Sequence, residues 1–103
     1  MTQEEQLLSY LKGACRGRAY RVGGEELRRT LGISGTALRK LVNRLRRRGI
    51  PIASDRTGYF YAQTAGEVYA TIRLLRKIVS GLEAAIRGLE KALDDFGGGG
   101  DVS

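Results

Sequence analysis

Nine apolar residues, Val68, Ile72, Leu75, Val79, Leu82, Ile86, Leu89, Leu93 and Phe96, follow one another at spacings that alternate four and three, with no proline among them. A 3.5-residue repeat held over about four heptads predicts one long helix, from about Ala65 to Phe96, that buries a seam against another helix. In heptad letters Ile72, Val79, Ile86 and Leu93 fall at a, and Val68, Leu75, Leu82, Leu89 and Phe96 at d. β-Branched residues at a with Leu at d favour a parallel two-stranded coil. The g positions Ile78, Ala85 and Ala92 are also apolar, so g to e ion pairs are missing and the widened face has room for more than two helices or for docking on the rest of the chain. Gly81, Ala85, Gly88 and Ala92 form a second stripe of small residues, which permits close approach at a cost of about 1 kcal/mol of helix propensity for each glycine. Burying so many large side chains, at about 1.5 kcal/mol or more each, favours a homodimer formed through residues 65–96, with Val68, Ile72, Leu75, Val79, Leu82, Ile86, Leu89 and Leu93 as its contacts.

The preceding residues carry the signals of a small mixed domain, expected over 1–63. Thr2, with Glu5 three residues on, opens a first helix that carries Leu7, Leu8 and Leu11 to Lys12, where Gly13 can end it. Tyr20 and Val22 alternate within Ala19 to Val22, as in a short edge strand leading to the turn at Gly23 and Gly24. A second helix is expected from Gly24 to Leu31, with Glu25 and Glu26 in its first turn and Gly32 at its end. Ile33 packs the turn, Ser34 is a good N-cap, and a third helix follows from Gly35 to Arg48 with Leu38, Leu41, Val42 and Leu45 on one face and Gly49 as its stop. The pattern then becomes period two: Ile50, Ile52 and Ala53, a polar tip from Ser54 to Gly58, then Tyr59, Phe60 and Tyr61. This predicts a β-hairpin with Pro51 on an edge or at a strand start. The fold class is therefore mainly α with a small β-hairpin, followed by a long coiled-coil-like helix (64–96) and a flexible Gly-rich tail (97–103).

Charge singles out the third helix. Residues 1–63 hold 13 Lys or Arg against 5 Asp or Glu, whereas residues 64–103 hold 5 against 6. Between Ser34 and Gly49 there is no acid, and the positions facing away from the apolar stripe include Thr36, Arg39, Lys40, Asn43, Arg44, Arg46, Arg47 and Arg48. A helix with only positive charges repels itself unless an anion offsets it, and phosphate is such an anion. Base edges would be met from the helix N-terminal half, by Ser34, Thr36, Arg39, Lys40 and Asn43, with Arg able to read guanine and Asn adenine. Arg44 belongs to the same contact set, and Arg46, Arg47 and Arg48 either touch phosphates or complement the helix C-terminus. Arg56 at the hairpin tip is placed for a neighbouring groove or backbone, and Arg16, Arg18 and Arg21 either add backbone contacts or form a solvated loop.

The order helix, short strand, helix, turn, basic helix and hairpin resembles the winged helix-turn-helix group. The run Glu26-Leu27-Arg28-Arg29-Thr30-Leu31-Gly32-Ile33-Ser34, followed by Leu38, Leu41, Leu45, Arg46, Gly49, Ile50 and then Gly58-Tyr59, is similar to DNA-binding domains of the biotin-repressor type, over about residues 5 to 62. Small stand-alone proteins of bacteria and their phages look similar. The resemblance implies that Ser34 to Arg48 reads DNA and that Ser54 to Thr57 belongs to the wing. Winged helices also serve as protein-binding modules.

With no histidine and one cysteine, Cys15, the chain cannot build a zinc cluster, a disulfide framework or a His-based triad. Neither a Gly-rich phosphate loop nor a pair of carboxylates in an apolar setting is evident, so an enzyme is not expected and no cofactor is implied. No apolar run reaches the roughly 20 residues of a membrane span and the N-terminus is not signal-like, which predicts a cytoplasmic protein without a membrane partner. The expected function is a homodimeric transcriptional regulator that binds double-stranded DNA at paired half-sites. The alternative is an adaptor assembled through its C-terminal helix, with a basic domain that binds DNA non-specifically or an acidic protein.

Overall fold

The computed structural model describes residues 1–97. It is mainly helical, with helices α1 (Gln3–Ala14), α2 (Gly24–Leu31), α3 (Gly35–Arg47) and α4 (Ala65–Ala92) and one antiparallel hairpin of strands β1 (Ile52–Ser54) and β2 (Tyr59–Tyr61). The expected fold class is present. The expected tail lies outside the described residues except for Gly97.

The first compact unit is Met1–Thr71. Its α1 starts at a reciprocal cap: the Thr2 hydroxyl accepts from the Glu5 amide at 3.1 Å and the Glu5 carboxylate accepts from the Thr2 amide at 3.0 Å. Gly13 does not end this helix, as was expected, but lies within it. The helix runs on to Ala14, and the cap residue Cys15, four after Leu11 as Leu11 is four after Leu7, joins both in the core with its amide donating to the Leu11 carbonyl at 3.0 Å. Helices α2 and α3 end alike, each on a glycine with positive φ, Gly32 at 68° and Gly49 at 86°. In both, the next amide reaches back five residues, Ile33 to Arg28 at 3.0 Å and Ile50 to Leu45 at 3.1 Å, which satisfies carbonyls that the helix end leaves open. Ser34 caps α3 by accepting from the Ala37 amide at 3.0 Å.

The edge strand expected over Ala19–Val22 is largely absent. Arg18–Tyr20 instead form a 3-10 turn, closed by the Arg21 amide on the Arg18 carbonyl. Within this stretch Val22 alone pairs as a strand residue, forming a two-bond antiparallel bridge with Tyr59. The Tyr61 amide donates to the Cys15 carbonyl at 2.7 Å and its carbonyl accepts from Gly17, so the outer edge of β2 is covered by the chain between α1 and α2. Gly58 is where this cover comes closest, since a Cβ there would lie 2.3 Å from the Val22 carbonyl oxygen.

Strand β1 departs from strict alternation, because Ile52 and Ala53 are both buried. Two helices reach it. Arg46 of α3 donates to the Ile52 carbonyl at 2.7 Å and the Ser54 hydroxyl at 3.0 Å, and the Thr71 hydroxyl of α4 accepts from the Ser54 amide at 3.1 Å. Ser54, expected in the hairpin tip, is thereby held in the strand opposite Tyr59. Pro51 precedes the strand, where its missing N–H costs nothing, and its carbonyl accepts from Ala62. The core comprises Leu7, Leu11, Cys15, Val22, Leu27, Leu38, Leu41, Val42, Leu45, Ile52, Ala53 and Phe60. Burial pushes the Cys15 thiol pKa up, with a smaller contribution from Glu26.

Helix α4 starts at Thr64, whose hydroxyl accepts from the Glu67 amide at 3.1 Å. The Glu67 carboxylate accepts from the amides of Gln63 at 2.8 Å and Arg18 at 3.0 Å, and these backbone bonds hold its pKa below the usual value despite some desolvation. The helix runs for 28 residues, about 42 Å at 1.5 Å per residue. Leu93–Phe96, expected to continue it, are wound as a 3-10 turn instead. Asp94 and Asp95 sit at the end of the helix where its dipole disfavours negative charge, and Gly97 follows with a φ of 80°.

Two glycines with opposite surroundings test this account. Gly13→Ala, with nothing within 4 Å of an added Cβ, is expected to raise stability by about 0.5–1 kcal/mol in thermal unfolding followed by circular dichroism. Gly58→Ala, which meets the Val22 backbone, is expected to cost about 3 kcal/mol or more in the same assay.

Candidate nucleic-acid interface

Helix α3 has two faces with different work. Leu38, Leu41, Val42 and Leu45 are buried, and on the opposite side Thr36, Arg39, Lys40, Asn43 and Arg47 are all exposed. Their spacing of three and four residues makes a single stripe along the helix. Arg39 turns back toward the helix N-terminus, where its Nη2 donates to the Thr36 hydroxyl at 3.3 Å. Ser34 lies at the same end, with its hydroxyl accepting the capping bond.

Both flanks of this stripe are engaged within the protein. On one side Arg44 and Arg48 share the carboxylate of Glu4 in α1, at 3.2 and 2.8 Å. The self-repulsion of an acid-free helix is thus partly offset by an acid from outside the helix. On the other side Arg46, expected to face outward, points inward and holds β1. Burial lowers its pKa, opposed in part by Tyr59. Three consecutive arginines point to three different places because each residue turns about 100° around the helix.

The hairpin tip is built on Asp55. Its Oδ1 accepts from the Thr57 amide at 2.8 Å, the Thr57 hydroxyl at 2.7 Å and the Gly58 amide at 3.1 Å, while its Oδ2 lies 3.8 and 3.7 Å from the Nε atoms of Arg18 and Arg21. Arg21 also donates to the Thr57 hydroxyl. Burial acts to raise the Asp55 pKa, but the bonds from Thr57 and Gly58, with the charge of Arg21, outweigh it and the carboxyl lies below its ordinary value. Arg56 is exposed at the centre of this turn. Arg18 and Arg21, read in sequence as backbone contacts or a solvated loop, brace the tip. Arg16 instead donates to the Lys12 carbonyl at 3.0 Å and lies over the Tyr61 ring at 5.6 Å. Sequence reasoning passed over Asp55 and Glu4 as acids; the Asp-x-Thr-Gly turn pattern was the available signal for the first, and no local signal marks the second.

The second assigned surface is the seam of α4. Val68 and Ile72 are half-buried, whereas Leu75, Val79, Leu82, Ile86 and Leu89 are exposed, from 37% at Leu75 to 70% at Leu89. Leu93 is half-buried in the 3-10 turn. Among the described residues no group of three or more His, Cys, Asp or Glu is placed to hold a metal ion, and no helix is long and apolar enough to cross a membrane.

Comparison with protein-family models, with curated proteins and with solved structures finds no match.

The two neighbouring arginines separate structure from surface. Arg46→Ala is expected to lower stability by about 2 kcal/mol in urea unfolding, through the loss of two charge-assisted bonds to β1, and Arg47→Ala by less than about 0.5 kcal/mol. For Asp55 the folded pKa lies below the ordinary 3.8. Its contribution is therefore complete above that value and is lost as pH falls through the folded pKa. Asp55→Asn is expected to flatten the decline of melting temperature as pH falls below about 4.

Proposed function

We propose that this chain is a double-stranded DNA-binding protein of the winged helix-turn-helix type, with α3 in the major groove and the hairpin as its wing. The observation that carries this reading is the exposed stripe Thr36, Arg39, Lys40, Asn43 and Arg47, free of acids, on a helix whose other face is fixed in the core. Such a helix offers donors for bases at its N-terminal half and a phosphate contact at its end, on a rigid support. Arg56, exposed at the tip ordered by Asp55, supplies the wing's contact to a neighbouring groove or backbone. Arg44 can reach phosphate by exchanging one carboxylate for another anion, because its partner Glu4 is itself partly exposed.

The protein acts as a homodimer joined through α4. Support comes from five large apolar side chains, Leu75, Val79, Leu82, Ile86 and Leu89, left exposed along one face of a regular helix. Covering them in a second copy is worth about 1.5 kcal/mol or more each. Two α3 helices then address two half-sites, the arrangement of a sequence-specific transcriptional regulator.

Selection from random duplex DNA at near-physiological salt, with light scattering of the free protein, tests both parts. The expected result is a dimer that enriches paired half-sites, with enrichment lost in Arg39→Ala plus Asn43→Ala. Arg47→Ala is expected to weaken all sequences alike and to lower the log–log salt slope by about 1. Salt-sensitive binding without any motif would replace the regulator by a non-specific adaptor, and no binding at low salt would remove DNA as the partner.

A further inference from the structure

We infer that the α4 helices of two copies pair antiparallel. This rests on the homodimer proposed above and concerns the direction in which the helices run. The seam, expected from its β-branched a and Leu d positions to favour a parallel coil, fixes the number of strands more than their direction, because the same residues also form mixed a–d layers in an antiparallel pair. The two edges of the seam do choose. One edge, the e positions, carries Tyr69, Arg76, Glu83 and Glu90, and the other, the g positions, carries Thr71, Ile78, Ala85 and Ala92. Arg76, Glu83 and Glu90 are exposed and form no ion pair among the described residues.

In a parallel pair each e residue lies beside a g residue of the other copy. Glu83 would then face Ile78 and Glu90 would face Ala85, each acid partly desolvated against an apolar side chain with no counter-charge, which is unfavourable. In an antiparallel pair e lies beside e and g beside g. With Leu75 layered on Ile86 of the second copy and Val79 on Leu82, Arg76 faces Glu83, and the two-fold axis makes that pair twice. Ile78 faces Ala85 on the other edge, so the apolar surface continues across it.

The ends agree with this register. It sets Thr71 opposite Ala92 of the second copy. Thr71 is the last residue of the first compact unit and Ala92 the last α-helical residue of α4, so the free run of helix pairs along its whole length without an overhang. At Thr71 the g edge is already occupied by Ser54 of β1, and the side chain brought opposite is only a methyl group.

Charge exchange and label distances in the full chain test the direction. Sedimentation equilibrium is expected to show dimerisation weakened about tenfold by Arg76→Glu or by Glu83→Arg, since each replaces two attractions with two repulsions, and recovered when both are combined. A parallel pair gives no such recovery, because neither residue faces the other. Spin labels at Lys77→Cys and Lys91→Cys, in a Cys15→Ala background, are read separately in pulsed dipolar measurements. The antiparallel pair separates the Lys91 labels by about 20 Å more along the axis than the Lys77 labels. Equal distances at both sites, in a protein that sediments as a dimer, would overturn the antiparallel direction and leave the dimer standing. A monomer would overturn the dimer and the direction with it.

Discussion

The first compact unit depends on Phe60. A two-stranded hairpin is marginal by itself in water, and this one has three residues in each strand. Burial of the Phe60 ring, worth about 2–3 kcal/mol, carries β2 onto the helices, and with β2 come the bonds that Cys15, Gly17 and Val22 make to its outer edge. Strand β1 follows through its pairing, and only then do Arg46 and Thr71 have its backbone to bond to. The order of dependence runs from one aromatic residue through the hairpin to the chain entering α4.

Where burial sets the pattern, the sequence could be read directly. Helix α2 begins and ends where its caps and glycines indicate, and α3 differs by one residue at its end, because Ser34, Gly32 and Gly49 act locally. Long-range demands decided the rest. Gly13 resembles a helix stop, but the helix continues because Cys15 fits the core beneath Leu11. Ala19 to Val22 have strand-like alternation, but the Arg18 amide is taken by Glu67, 49 positions away, and the chain turns before it can extend. The seam of α4 was plain from spacing, whereas its last positions were lost to two aspartates that only the helix dipole makes unfavourable.

The candidate site was legible to a similar degree. The stripe from Thr36 to Arg47 follows from helical geometry, and the structure leaves it exposed. The arginines on either side were indistinguishable in sequence from those within it, since an arginine that pairs with Glu4 or donates to a strand carbonyl is written with the same letter as one facing solvent. The formal excess of basic residues in the first part of the chain therefore overstates the charge open to a partner. Arg18, Arg21, Arg28, Arg29, Arg44 and Arg48 each lie against a carboxylate of the protein, and Arg46 is occupied by β1. What remains without a carboxylate lies along α3, at Arg56, and at Lys12 and Arg16 beside the Tyr61 ring.

Cys15 sits in the core with its thiol pushed further from ionisation than in water. In a chain without histidine this thiol is the side chain that would ordinarily change charge or oxidation state nearest neutrality, and its burial silences it. Cys15 consequently adds no charge near neutrality, and its sulfur is shielded from oxidants. The molecule carries no sensor of acidity or redox poise in this thiol, so the association proposed for α4 would answer to concentration and ionic strength and not to Cys15.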